Sequence, residues 1–204
     1  DGTYTFRAYA NDTNGNNNFT TSTSFTVDTT KPLISFGTGT ANDGTNTTST
    51  NIYVNVSVTE TNEANITFLL HNSTSQVNST TFTTAVRTIN WTNLADGLYT
   101  YNATVYDTAS NSNSTSTRTL RVDTSAPSLT IVHPEVKTYA TNTSLPLNFT
   151  VSDSGIGIGS CWFNVDSGAN TTLSNCQNTT FNVTGTSGSK TLFLFANDSL
   201  NNQV

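Results

Sequence analysis

The 204-residue chain has no methionine, only two cysteines, four prolines and seven lysine plus arginine residues. Each shortage excludes something. Seven cations against thirteen carboxylates leave a thin formal charge of −6, so there is no basic footprint for nucleic acid. No apolar run approaches the ~18 residues of a spanning helix, and no membrane span is expected in this stretch. Without an initiator methionine or a signal-peptide profile at Asp1-Gly2, the chain reads as an internal or processed piece of a larger protein. The two histidines and two cysteines, at 71, 133, 161 and 176, lack the close paired spacing of a structural zinc site. No metal ligand set is expected.

What is abundant is Thr (44), Asn (28) and Ser (23), together 95 residues. Such a composition can belong to a disordered stalk, but alternation argues against one. Aliphatic or aromatic residues recur at every second position in Ile52-Tyr53-Val54-Asn55-Val56-Ser57-Val58, at Ile66, Phe68 and Leu70, at Tyr99, Tyr101, Ala103 and Val105, and at Leu147, Phe149 and Val151. Period two over five to eight residues marks half-buried strands. A 3.6-residue period is absent, and Thr, Asn and Val are poor helix formers. Thr suits the wet face of a strand. The fold class is therefore all-β, with short strands between Gly/Asn/Asp/Ser turns, as in a β-sandwich.

An internal repeat organises the chain. Residues 1–32 (DGTYTFRAYANDTNGNNNFTTSTSFTVDTTKP) align without gaps on residues 96–127 (DGLYTYNATVYDTASNSNSTSTRTLRVDTSAP) at 14 of 32 positions. A third copy begins at Ser187 (SGSKTLFLFANDSLNNQV), where Asp198 matches Asp12 and Asp107. A period of roughly 91–95 residues is one whole sandwich rather than a solenoid unit. The expected division is 1–31, the last two strands of one domain; 32–123, a complete domain; and 124–204, a domain without its final strand. Gly97 serves the turn into the next strand. Tyr99 is placed to form a tyrosine corner. Asp107 to Asn111 is a hairpin loop whose side chains can bond their own backbone, and Pro127 stiffens the Val122–Pro127 linker.

The pattern D-G-x-Y…A-x-D-x-x-x-N…V-D-T-x-x-P resembles the tandem immunoglobulin-like repeats of prokaryotic surface proteins and adhesins. Cys161-Trp162-Phe163, followed by Thr171-Thr172-Leu173-Ser174-Asn175-Cys176, is similar to such repeats in archaeal surface proteins. The resemblance covers nearly the whole chain and implies tandem Ig-like sandwiches at the cell surface. Fold alone does not assign a role.

Sixteen N-x-[S/T] sequons occur, at Asn11, Asn18, Asn46, Asn55, Asn65, Asn72, Asn78, Asn90, Asn102, Asn113, Asn142, Asn148, Asn170, Asn178, Asn182 and Asn197; composition alone gives roughly nine. In Asn55, Asn65, Asn90, Asn102, Asn148 and Asn182 the middle residue of the sequon takes the inward phase, so Asn and Ser/Thr face water together. These are expected N-glycosylation sites, and a sugar coat would shield a chain with few charges. Cys161 and Cys176 are expected to form a disulfide across a strand and its return, worth ~3 kcal/mol in the chain-entropy model, in an oxidising compartment.

Calcium is the one cofactor weighed. Asp28 and Asp123 lie at the linkers, and Asp12, Asp107 and Asp198 in the hairpin loops, but Ca²⁺ takes six to eight oxygens and each Asp stands alone among Thr and Asn. Turn formation is the expected job, with no cofactor. No catalytic set is expected: His71 and His133 lack partners, Glu60 and Glu63 sit in a connecting loop, and Gly155–Gly159 lacks the setting of a phosphate loop. Phe82, Trp91 and Trp162 are read as core. The expectation is a non-enzymatic, extracellular, glycosylated repeat of a cell-surface fibre, filament or sheath. Its partners would be copies of itself, and the missing strand of 124–204 would come either from the continuation of a longer array or from a second copy by strand addition. The alternative is an adhesin recognising a cell-surface or glycan ligand.

Overall fold

The computed structural model describes residues 1–185 and 187–204. In chain order the strands are β1 (Gly2–Phe6), β2 (Tyr9–Asn11), β3 (Asn17–Phe19), β4 (Thr23–Val27), β5 (Leu33–Phe36), β6 (Thr45–Thr47), β7 (Ile52–Thr59), β8 (Glu63–Asn72), β9 (Gln76–Phe82) and β10 (Thr88–Trp91). They continue with β11 (Gly97–Asp107), β12 (Ser112–Ser114), β13 (Arg118–Val122), β14 (Ser128–His133), β15 (Leu145–Ser152), β16 (Ile158–Val165), β17 (Thr171–Leu173), β18 (Thr179–Phe181) and β19 (Leu192–Asp198). A 3₁₀ turn at Ser174–Cys176 is the one helical element among the described residues. The fold is all-β.

Two compact units divide the chain: Asp1–Thr40, Tyr53–Ile89 and Thr100–Arg118 in the first, and Ala41–Ile52, Asn90–Tyr99 and Thr119–Val204 in the second. The sheets run β1-β4, β2-β3, β10-β7-β5, β6-β13-β11-β8-β9 with β12 on β11, β14-β15-β18, and β17-β16-β19. Every pairing whose register is resolved is antiparallel except β6 with β13.

In the first unit the period-two pattern becomes burial. Val54 and Val56 of β7, Ile66, Phe68 and Leu70 of β8, and Tyr101, Ala103 and Val105 of β11 are buried, while their strand neighbours face outward or lie half-buried. Phe36 meets Tyr101 edge-on at 5.8 Å between ring centroids, and the Arg118 guanidinium covers Phe36 at 4.2 Å. The hairpin of β1 and β4 repeats the alternation, yet Tyr4, Phe6, Phe25 and Val27 remain exposed.

The second unit contains a sandwich whose core is explicit. Leu145, Leu147 and Phe149 of β15 and Phe181 of β18 face Cys161, Phe163, Leu173 and Ala196 of the β17-β16-β19 sheet. The rings of Phe163 and Phe181 meet edge-on at 5.6 Å. The disulfide joins Cys161, wholly buried in β16, to Cys176 in the 3₁₀ turn, with Cα atoms 5.2 Å apart. The pairing expected from two cysteines is the pairing observed.

Outer faces use hydroxyls. Thr3 pairs with Thr26 at 3.2 Å, Thr67 with Thr81 at 2.8 Å, and Thr104 with Ser114 at 2.7 Å, each between adjacent strands. Cross-strand hydroxyl pairs of this kind contribute about 0.2–1 kcal/mol each. The tyrosine corner is present: the Tyr99 hydroxyl donates to the Ala95 carbonyl at 2.9 Å.

Candidate functional site

The residues that recur in every repeat copy are those that close loops and grip linkers. In the first copy Asp12 Oδ1 accepts the amides of Asn14 and Asn16 at 2.9 and 2.8 Å, and Oδ2 accepts Asn16 Nδ2 at 2.6 Å. Asp107 does the same with Ala109 and Asn111, at 2.9, 2.8 and 2.8 Å. Asp198 does it with Leu200 and Asn202, at 2.7, 2.9 and 2.6 Å. A short carboxylate followed four residues later by an amide builds a turn whose backbone donors are satisfied locally. The Asn16 side chain, followed by the backbone donors, holds the Asp12 carboxyl below its ordinary value.

The asparagine of this clamp also reaches outward. Asn111 Nδ2 donates to the Asp28 carbonyl at 2.9 Å, and Asn202 Nδ2 to the Asp123 carbonyl at 3.0 Å. Each bond lies within one compact unit. The first residue of V-D-T-[T/S]-x-P beyond the valine is thus bolted by the loop that precedes the last strand. A second brace comes from the turn aspartate. Asp96 accepts the Thr124 amide and hydroxyl at 2.9 and 2.8 Å and the Ser125 hydroxyl at 2.6 Å. Asp1 repeats this with the Thr29 amide and hydroxyl at 2.8 and 2.7 Å and with the Thr30 hydroxyl. The Ser125 hydroxyl, then Thr124, depresses the Asp96 carboxyl. Pro32 and Pro127 end the linkers in buried positions, and Asn113 Nδ2 holds the Pro32 carbonyl at 3.0 Å.

Sequence reading placed Asp123 and Asp198 in separate turns and did not single out Asp153. The fold brings the three together: one carboxylate oxygen from each lies within 4.8 Å of the others, and Asp123 and Asp198 are each 1% exposed. Their amide partners come from both loops. Asp123 accepts Ser125 N and Ile156 N at 3.3 and 2.9 Å, and Asp153 accepts Gly155 N and Gly157 N at 3.0 and 2.7 Å. Gly155 packs so closely on the Asp123 carboxylate that a Cβ there would overlap it. The signal that could have found Asp153 is its Asp-x-Gly turn directly after the apolar alternation of Leu147, Phe149 and Val151. Among the described residues, these three carboxylates are the group whose hard oxygen donors suit a cation such as Ca²⁺. The bonds they make fasten the 153–157 turn to the linker.

None of the sixteen sequon asparagines is buried. Asn11, Asn18, Asn46, Asn90, Asn142, Asn170, Asn178 and Asn182 are exposed, and Asn55, Asn65, Asn72, Asn78, Asn102, Asn113, Asn148 and Asn197 are half-buried. Their middle residues Val56, Ile66, Trp91, Ala103 and Phe149 are buried, and Val183 is half-buried. Several amides are already engaged: Asn55 Nδ2 donates to Thr38 O at 3.0 Å, and Asn178 Oδ1 accepts Phe149 N at 2.9 Å.

The acid–base candidates are dispersed. Glu63 is ion-paired with Arg87 at 2.5 Å, and Glu60 accepts the Asn62 amide at 2.8 Å as a turn cap. His133 stands 4.0 Å from Glu135, and His71 is half-buried on β8. The open depression beside the disulfide, lined by Ile158, Ser160, Leu173, Gln177 and Asn178 among others, contains no ionisable side chain. Trp91 is buried and Phe82 half-buried, as core residues. Trp162 differs: it is half-buried on the outer face of β16, between the inward-facing Cys161 and Phe163, and stacks on Phe195 at 5.8 Å.

No protein-family model matches the chain, and no curated protein matches it. Among solved structures, it is similar to the fibronectin(III)-like modules of Clostridium thermocellum CbhA, with a TM-score of 0.38 and 18% identity over 84% of this chain and 88% of that one. It is also similar to the FN1–FN3 domains of chicken CNTN1, with a TM-score of 0.34 and 9% identity over 99% of this chain and 73% of that one.

Proposed function

We propose that the chain is a non-enzymatic extracellular structural protein, an N-glycosylated Ig-like repeat of a cell-surface fibre, filament or sheath. The observation that carries this reading is the phase of the sequons: sixteen asparagines, none buried, with the residue between Asn and Ser/Thr turned into the core at Asn55, Asn65, Asn90, Asn102 and Asn148. A β-sandwich keeps its interior while its outer faces are free to carry sugar. The repeated linker clamps supply the second requirement of such a material. Each V-D-T-[T/S] segment is fixed by an aspartate brace and an asparagine bolt, so the linker is a hydrogen-bonded element rather than a loose tether. Copies of the chain are the proposed partners, joined by a strand added to β19 along Leu192–Phe195, ahead of the Ala196–Asp198 stretch that the chain's own 202–204 segment pairs.

The test is intact mass of native material before and after glycan removal, paired with negative-stain imaging. A large mass loss and extended filaments are expected. An unchanged mass rejects the glycoprotein reading, and monodisperse globular particles at high concentration reject the fibre. The second reading, a glycan-recognising adhesin, is favoured by one observation, the outer-face aromatic cluster of half-buried Trp162 and Phe195 with exposed Phe193.

A further inference from the structure

Strand β19 alternates cleanly. Ala196 and Asp198 are buried, while Phe193, Phe195 and Asn197 share the opposite face. Register sets Trp162 directly across from Phe195. The Trp162 and Phe195 rings lie 5.8 Å apart and 13° from parallel, and Phe193 and Phe195 lie 6.5 Å apart at 15°. Phe193 is 40% exposed. Three near-parallel rings on the water side of a sheet are costly unless something covers them. The next residue on that face, two positions along the strand from Phe195, is the sequon asparagine Asn197 of Phe195-Ala196-Asn197-Asp198-Ser199.

The first repeat copy is built in the same way. Tyr9-Ala10-Asn11-Asp12-Thr13 aligns with that segment through the Asp12/Asp198 match. Tyr9 is 73% exposed and pairs across the hairpin with Phe19, their rings 5.9 Å apart, and the Arg7 guanidinium lies 4.8 Å from the Phe19 ring centre. In the middle copy the acceptor position is Tyr106 and the residue two before it is Thr104. Ring and sequon are lost together. A third instance of the spacing, Tyr53-Val54-Asn55, has its asparagine already engaged by the protein itself. There Asn55 Nδ2 donates to Thr38 O, Gly37 packs on the Asn55 amide, and Gly39 packs on the Tyr53 ring. The protein's own loop holds that amide, while the Tyr53 ring stays 42% exposed.

We propose that the outer faces at Phe195 and Tyr9 are docking platforms for the chain's own carbohydrate: the first pyranose on Asn197, and likewise on Asn11, lies against the ring two residues upstream. One face of a pyranose is a patch of C–H groups, weakly positive and apolar, which complements the negative face of an aromatic ring. Attachment exchanges one Nδ2 hydrogen for the anomeric carbon of a phosphate-activated sugar; the phosphate leaves with the bonding pair and the proton passes to solvent. Asn197 tolerates the exchange. Its second Nδ2 hydrogen retains the 3.0 Å bond to Asn201 Oδ1, and Oδ1 continues to accept the Ser160 amide at 2.8 Å. Asn55, whose Nδ2 is held by the Thr38 carbonyl beside an exposed ring, is the internal control.

This inference rests on the glycosylation reading, and the experiment separates the two. Native glycosylated chain is compared with Asn197→Gln, Phe195→Leu and the double variant, with occupancy of the Asn197 peptide measured by mass and thermal unfolding followed for each. Phe195→Leu keeps a large apolar side chain on an outer face, so loss of folding does not confound the result. Occupancy at Asn197 is expected, with Asn197→Gln lowering Tm by about 2–4 °C in the parent and by less than about 1 °C in the Phe195→Leu background. Sugar C–H resonances shifted upfield by the ring in the parent, and not in Phe195→Leu, are the second readout. An empty Asn197 refutes the glycosylation reading at that site. An occupied Asn197 with equal Tm losses in both backgrounds overturns the docking inference alone. Free oligosaccharide at millimolar concentration that binds the parent, with its Asn197 sugar in place, and perturbs Trp162 fluorescence also overturns it, in favour of a ligand from outside.

Discussion

Replacing Asn111 by alanine is the sharpest test of the linker clamp. The change removes two hydrogen bonds of one amide, to the Asp28 carbonyl at 2.9 Å and to Asp107 Oδ2 at 2.8 Å. The first is neutral, worth about 1 kcal/mol; the second ends on a carboxylate only 2% exposed, in the class worth about 1.5–3 kcal/mol. The expected loss is therefore about 3 kcal/mol. With a urea m-value of about 2 kcal/mol/M, the midpoint of the transition that includes the first unit falls by roughly 1.5 M. Asn16→Ala is the matched control, because Asn16 makes the same 2.6 Å bond to Asp12 in an exposed loop. Its cost is expected to be small, because water replaces a bond made in an exposed loop. Hydrogen exchange of the 28–32 segment should accelerate in Asn111→Ala and stay unchanged in Asn16→Ala. Equal midpoints for the two variants would refute the idea that the asparagine holds the linker rather than merely shaping its own loop.

Removing the disulfide by Cys161→Ala with Cys176→Ala should lower stability by about 3 kcal/mol, measured as a Tm drop that reductant reproduces in the parent and not in the variant. The depressed Asp96 carboxyl contributes stability that is present above the ordinary carboxylate pKa of 3.8 and is lost as pH falls through its lower folded value. Asp96→Asn should flatten the acid limb of a pH–stability curve below about pH 4; an unchanged acid limb counts against the brace. Gly155→Ala puts a methyl into the Asp123 carboxylate and should cost more than about 2 kcal/mol, read by urea titration with Trp162 fluorescence as the probe. A neutral outcome would mean the 153–157 turn is not packed on the linker.

Much of this was legible in the residues because strand phase is a local property. The inward positions of Ile66, Phe68 and Leu70 or of Leu147 and Phe149 follow from alternation alone, and the Tyr99 hydroxyl finds the upstream backbone its position implies. The meeting of Asp123, Asp153 and Asp198 was not legible, since it needs three loops separated by 30 and 45 residues to converge. The reach of Asn111 across 83 residues to Asp28 is hidden for the same reason. Trp162 was misread as core because bulk and apolarity were weighed above phase. Its neighbours Cys161 and Phe163 point inward, which already sends Trp162 outward.

The paired hydroxyls on the outer faces have a consequence for the medium. Thr3–Thr26, Thr67–Thr81 and Thr104–Ser114 join neighbouring strands without net charge, and Debye screening weakens only interactions between charges. Across dilute buffer and concentrated brine the cohesion of these faces should stay constant, leaving ion pairs such as Lys190–Asp166 and Lys137–Glu135 to register ionic strength.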